Sequence, residues 1–279
     1  MKKFFALFIV FICFTSNLAF AIDKKYDVTI FLLDISTSMN QMSEYKGKKM
    51  SRMNIAINSI SQLAKNYEYS DKVGLRTIGA TTDRVYEDVA ANRDKYLNIL
   101  MNSQNPILAL YNHTCNNSEV PLPINYGSHA KIYDLMKTIK ANGTSTPIAY
   151  TLKQAIDVDL AEYPAHMSKH IILITDGYEG CNADPCAYIK EISKTRKDIK
   201  IDVLSVLPDN ADFSLYNCIA MSTGGSVYNP EINNQDGGWN TSIDFKPVNT
   251  APITAKSIKS KNNALNNSII YKSYLLQFE

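Results

Sequence analysis

The residues of this chain best suited to chemistry are oxygen donors placed where strands end and a helix begins. In FLLDISTSMN, residues 31–40, Asp34 closes the apolar run Val28-Thr29-Ile30-Phe31-Leu32-Leu33, and Ser36 and Ser38 follow at alternate positions around Thr37. A turn that leaves a strand as Asp-x-Ser-x-Ser can aim alternate side chains to one side, so three oxygens reach one point. Farther on, NGTSTPIAYTLKQAI puts Thr146 and Pro147 at a helix start, and HIILITD ends a second apolar run on Asp176. Asp-x-Ser-x-Ser alone is often an ordinary turn with local hydroxyl bonds, and Thr146 alone is a good helix cap. In combination the five form a set of hard oxygens with no His or Cys, in which the two aspartates carry all the charge. Such a set suits Mg2+, with Mn2+ or Ca2+ as substitutes, and disfavours zinc or copper. An octahedral ion held this way keeps open positions, and an under-neutralised hard cation attracts an anionic oxygen such as a partner's Asp or Glu.

These donors need a scaffold that brings three separate segments together. Met53, Ala56, Ile57, Ile60, Leu63 and Ala64 recur at helical spacing, and KVGLRTIG (Lys72 to Gly79) reads as a strand. A second helical face follows at Ile132, Leu135, Met136 and Ile139, and a third at Ile148, Ala149, Leu152, Ala155 and Ile156. His170 to Asp176 is apolar on both faces, as a central parallel strand would be. Asp184-Pro185 opens another helix, Ile199 to Leu207 is another strand, a helix from about Asp212 to Ser222 stops at Gly224-Gly225, and Ser226-Val227-Tyr228 makes a last short strand. The alternation predicts an α/β fold: a three-layer, doubly wound, mostly parallel sheet with helices on both faces. Ligands of such sheets bind beyond the carboxyl ends of the strands, where Asp34 and Asp176 both lie. Residues 81–112 read as an insertion with one helix around Asn92 to Asn102. Residues 231–279 read as a tail whose final run, IIYKSYLLQF, fits a docking strand or a short helix.

Composition narrows the setting. Lys2-Lys3, the apolar stretch Phe4 to Phe14 and Ala19-Phe20-Ala21 form a secretory signal peptide, residues 1–21, cut before Ile22. Its rival, a retained anchor, is disfavoured because the apolar run falls short of the ~20 residues that span a bilayer. No later segment is apolar enough to cross a membrane. Cleavage removes two lysines and no acids, leaving basic and acidic residues balanced at 27 each. A neutral chain has no general electrostatic reason to bind nucleic acid. The cluster Lys46, Lys48, Lys49, Arg52 reads as the solvated start of a helix. Cys13 leaves with the signal and lacks a lipoprotein context, so Cys115, Cys181, Cys186 and Cys218 remain, an even number suited to disulfides. Of three connectivities, the short loop CNADPC favours Cys181 with Cys186, leaving Cys115 with Cys218. No Cys-x2-Cys or His-x3-His spacing supports a zinc site.

DISTS, GTSTPIAYTL and ITDG resemble the three pieces of the metal ion-dependent adhesion site of von Willebrand factor type A domains, the fold shared with integrin I domains. The resemblance covers roughly residues 25–230, with the domain taken as 22–230. It implies that Asp34, Ser36 and Ser38 supply the first motif, Thr146 the second and Asp176 the third, with Thr144 the nearest competitor for the threonine role. In that family the hydroxyls contact the metal directly or nearly so, and the aspartates act directly or through water. HTCNNSEVPLP, ITDGYEGCNADPC and LYNCIAMSTGGSVYN look like segments of bacterial exported members, which implies a periplasmic or extracellular location.

The expected function is a non-enzymatic, metal-dependent protein-binding module that accepts a partner carboxylate. The alternatives are a structural envelope component with a stabilising metal site and a Mg2+-dependent hydrolase. An aspartate-nucleophile phosphotransferase needs a second acid where Ser36 stands, and no Gly-x-Ser-x-Gly run exists. His113, His129, His166 and His170 offer no organised base, and His170 reads as a strand edge.

Overall fold

Strand β1 (Val28–Asp34) is buried along its whole length, which only a position in the middle of a sheet covered on both faces allows. The computed structural model describes residues 26–45, 48–102, 104, 114–208, 211–232 and 243–248. The expected signal peptide and the IIYKSYLLQF run lie outside them. β4 (Lys72–Ile78) and β6 (Lys169–Thr175) flank β1, both parallel to it. β7 (Ile199–Ser205) and β8 (Val227–Ile232) continue the parallel series. β5 (Leu122–Tyr126) and β9 (Ile243–Pro247) close the two edges antiparallel, giving the order β5-β4-β1-β6-β7-β8-β9. The chain therefore leaves β1 toward β4 on one side and returns to β6 on the other. That reversal opens a crevice between β1 and β6 at their carboxyl ends.

Strand periodicity divides the core. Phe31, Leu33, Ile172 and Ile174 pack with Ile55, Ala56 and Ile60 of α1 (Arg52–Ala64) and with Ile132 and Met136. Ile30, Leu32, Ile171 and Leu173 pack with Ile148 and Leu152, with Ile189 and with Tyr216 and Ile219. The three-layer, doubly wound sheet expected from the sequence is present.

Several elements depart from expectation. β2 (Met42–Tyr45) and β3 (Lys48–Ser51) form an antiparallel hairpin where the basic cluster suggested a helix start. The helix begins at Arg52, with Ser51 Oγ accepting from Asn54 N–H at 3.2 Å. The described residues of 81–112 hold two helices rather than one, α2 (Thr82–Ala91) and α3 (Arg93–Asn102). The half-buried Val85 and Val89 form a stripe too narrow to register as a helical face. β5 carries Pro123, which edge strands tolerate and central ones do not. Ser226–Tyr228 does not end the sheet: β9 pairs with β8 beyond the boundary expected at residue 230. The helices expected near Ile132 and Asp212 are α4 (His129–Met136) and α7 (Ser214–Ser222), with α5 (Ile148–Gln154) and α6 (Pro185–Thr195) between them.

The cysteine pairing is corrected. The bridges are Cys115–Cys181 and Cys186–Cys218, with Cα atoms 5.5 and 5.6 Å apart. Asp184 caps α6 by accepting from Ala187 N–H at 2.9 Å, and Pro185 opens the helix. Cys186 therefore sits on the first turn of α6, which packs on α7 and its Cys218. Cys181 precedes a bend at Asn182, whose φ of 56° lies in the left-handed region, and pairs with Cys115. In chain-entropy terms each bridge is worth roughly 4 kcal/mol at these loop lengths. A non-reduced digest of the protein should yield one peptide pair joining Cys115 to Cys181 and another joining Cys186 to Cys218; a Cys181–Cys186 peptide would contradict the pairing.

One glycine holds two site loops together. Gly143 N–H donates to Ile35 O at 2.7 Å, and a Cβ there would lie 2.9 Å from the same oxygen. Gly143→Ala is expected to cost about 2 kcal/mol in urea denaturation, because backbone has to shift.

Candidate metal centre

β1 and β6 run side by side with Leu33 opposite Ile174, so the residues that follow them meet above one edge of the sheet. Asp34 is fully buried there. Its Oδ1 accepts from Ser36 N–H at 2.8 Å and its Oδ2 from Thr175 Oγ1 at 2.6 Å. The Ser36 and Ser38 hydroxyls share a hydrogen bond at 2.9 Å, and Ser38 Oγ donates to Asp176 Oδ1 at 2.8 Å. Two motifs 138 residues apart thus join in one network of carboxylates and hydroxyls.

Thr146 reaches the same place from the third segment. A methyl group added at Gly177 would lie 3.5 Å from Asp34 Oδ2 and 3.7 Å from Thr146 Oγ1, so these two oxygens flank Gly177. Thr144 Oγ1, by contrast, is buried with no hydrogen-bond partner. Thr146 is not the helix cap. The capping position of α5 falls at Pro147, with no side-chain bond. The acceptor comes from the Asp176 loop instead: Glu179 Oε2 takes Ala149 N–H at 2.7 Å, and its Oε1 takes Cys181 N–H at 2.8 Å. A carboxylate at a helix N-terminus is favourable. Burial pushes the Glu179 carboxyl up, while these backbone donors pull it down.

Sequence reasoning missed Glu179, and it misread Arg52. The Arg52 guanidinium is not solvated: Nη1 donates to Asp176 Oδ2 at 2.6 Å, and Nε donates to Ser43 Oγ on β2 at 3.1 Å. A signal existed, because a cation in the first turn of a helix opposes the helix dipole and calls for an anionic partner.

Electrostatics set the character of the site. Burial, and then the neighbouring Asp176 carboxylate, push Asp34 up to about 6, against the lowering hydrogen bonds from Ser36 and Thr175. Tyr216, whose hydroxyl donates to Gly177 O at 2.6 Å, is raised well above its ordinary value by burial and by the same two carboxylates. Two crowded carboxylates lined by neutral hydroxyls form a hard-oxygen donor set whose negative charge would attract a divalent cation. The residues present fit Mg2+ on these grounds.

His113 lies outside the described residues, and His166 is exposed. His170 is a buried member of β6 rather than a strand edge, with Nε2 2.8 Å from Asp202 Oδ2 and its ring stacked on Tyr26. It sits at the opposite end of the strand from Thr175, roughly 17 Å away at strand spacing.

No family model and no curated protein matches the chain. Solved structures do resemble it. The conserved hypothetical protein BatB from Bacteroides thetaiotaomicron is 17% identical with a TM-score of 0.49, over 73% of this chain and 89% of that one. A von Willebrand factor type A protein from Catenulispora acidiphila is 17% identical with a TM-score of 0.48, over 75% of this chain and 39% of that one. Proximal thread matrix protein 1 of the mussel byssus, with a zinc-occupied MIDAS motif, is 13% identical with a TM-score of 0.47, over 74% and 44%. These sequences are too distant to carry a function across.

The raised Asp34 has a definite sign. A carboxyl whose folded value lies above its unfolded one favours the folded state at low pH, and that contribution is lost as pH rises through about 6. In chelator, wild type should therefore lose about 2–3 kcal/mol relative to Asp34→Asn between pH 4 and pH 7. Urea denaturation of both proteins across that range checks it, and parallel curves would refute it.

Proposed function

We propose that the chain is an exported, non-enzymatic protein-binding module of the von Willebrand factor type A kind. Asp34, Ser36, Ser38, Thr146 and Asp176 would hold Mg2+, and a partner's Asp or Glu would complete the ion's shell. The observation that carries this reading is the continuous network from Asp34 through Ser36 and Ser38 to Asp176, with Thr146 beside it, at the crevice where the strand order reverses. When bound, the ion supplies a hard positive centre for an anionic oxygen. The chain's own residues do the rest: the backbone N–H of Ser36 and the Thr175 hydroxyl orient Asp34, and Glu179 fixes the start of α5 just after Thr146.

Support for export comes from the signal-like residues 1–21 and from two disulfides, which persist in oxidising compartments. Among the described residues no helix is long and apolar enough to cross a membrane. A binding rather than catalytic role fits the position of the His170–Asp202 pair, which lies at the far end of β6 from the site.

Calorimetric titration of the purified chain with Mg2+ and Mn2+ should show one site, weakened at least ~100-fold by Asp34→Ala and by Asp176→Ala. Proteins captured from an envelope and surface extract should be retained in Mg2+ and released in chelator, and should be missed by Ser36→Ala. Equal retention under all three conditions would sink the proposal.

A further inference from the structure

We propose that Arg52 is a resident cation of this centre, which competes with the divalent ion for Asp176 and thereby sets the ion's affinity. The inference rests on the reading of the site given above. The guanidinium bonds Asp176 Oδ2 at 2.6 Å, while Ser38 bonds the other oxygen, Oδ1, at 2.8 Å. Both oxygens of Asp176 are thus engaged, one by the hydroxyl side of the site and one by the cation. The Asp176 side chain is fully buried, and that of Arg52 is 15% exposed, so water screens the pair little.

Arg52 is placed there by construction. It is the first residue of α1, where the helix dipole disfavours a cation. The β2–β3 hairpin holds it nonetheless: Arg52 N–H donates to Gln41 O at 2.9 Å, Nε donates to Ser43 Oγ at 3.1 Å, and Ser43 Oγ donates to Val206 O at 3.3 Å. The hairpin ties the Asp34 loop to the start of α1 and carries the guanidinium to the site's edge.

The charge count gives the consequence. Two ionised aspartates and one arginine leave a single net negative charge for an arriving ion, where the aspartates alone would leave two. A divalent ion therefore binds more weakly than its oxygen ligands would allow. Once bound, it leaves the centre net positive and in need of an anion. Without metal, Arg52 neutralises Asp176 and keeps the ligand loops in register.

The test is Mg2+ titration and thermal denaturation of the full chain as wild type, Arg52→Gln and Arg52→Lys. Arg52→Gln is expected to tighten Mg2+ binding about tenfold, since a repelling charge is removed. It should also melt earlier in chelator and show a larger Mg2+-induced rise in Tm, with Arg52→Lys staying near wild type in affinity. A purely structural brace would weaken or leave unchanged the Mg2+ affinity of Arg52→Gln, and that result overturns the inference. Should Arg52→Gln fail to fold, Ser43→Ala decides: it loosens the guanidinium and should tighten Mg2+ by a smaller factor, with an unchanged affinity counting against. Absence of saturable Mg2+ binding in wild type would instead defeat the functional reading itself.

Discussion

Two carboxylates crowded at the carboxyl ends of neighbouring parallel strands are the constraint around which this molecule is arranged. Asp34 is buried beside Asp176, and its carboxyl is raised to about 6 by that burial and that neighbour. Such a pair persists in a low-dielectric crevice only with compensation. The compensation comes from every side: a backbone N–H from Ser36, hydroxyls from Thr175 and Ser38, and a guanidinium from Arg52. The arrangement is stable enough to fold yet leaves charge for an external cation to balance. That imbalance turns a strand end into a candidate binding centre.

Holding five donors in place demands rigid loops, and the loops brace one another. Gly143 approaches Ile35 closely enough to bond backbone to backbone, which docks the Thr146 segment on the Asp34 loop. Glu179 reaches from the Asp176 loop to the first turn of α5, joining the second and third segments. Cys115–Cys181 then fastens that loop to the segment that precedes β5, and Cys186–Cys218 fastens α6 to α7. The clasps act on segments that carry or adjoin the candidate donors, so the placement of those oxygens and the stability of the loops are coupled.

Legibility in the sequence followed burial. β1 and β6 were readable because strands buried on both faces are continuous apolar runs, and α1 because its wide apolar face repeats at helical spacing. The five candidate donors were readable as a set because Asp-x-Ser-x-Ser, Thr-Pro and a strand-ending Asp each have a local signature. Edge elements were not: β5 and β9 are alternations only five residues long, one interrupted by Pro123 and the other lying beyond a polar stretch, so neither stands out as the long apolar run of a central strand does. The β2–β3 hairpin hid behind a basic cluster, since Met50 is the one apolar side chain among its described residues that is buried and the rest are patterned by pairing.

What the sequence by itself determined is the class of fold and a set of candidate oxygen donors, because both are written in short-range patterns of hydrophobicity and residue type. What only the tertiary structure decided is who neighbours whom across the chain. Arg52 pairs with Asp176 across 124 positions, Glu179 caps a helix 30 positions away, and the cysteines join partners 66 and 32 positions apart rather than the adjacent pair. The physical reason is common to all three. Charges, helix ends and thiols choose partners by distance and direction in the folded state, and those are set by how helices pack and loops turn, which local spacing does not encode.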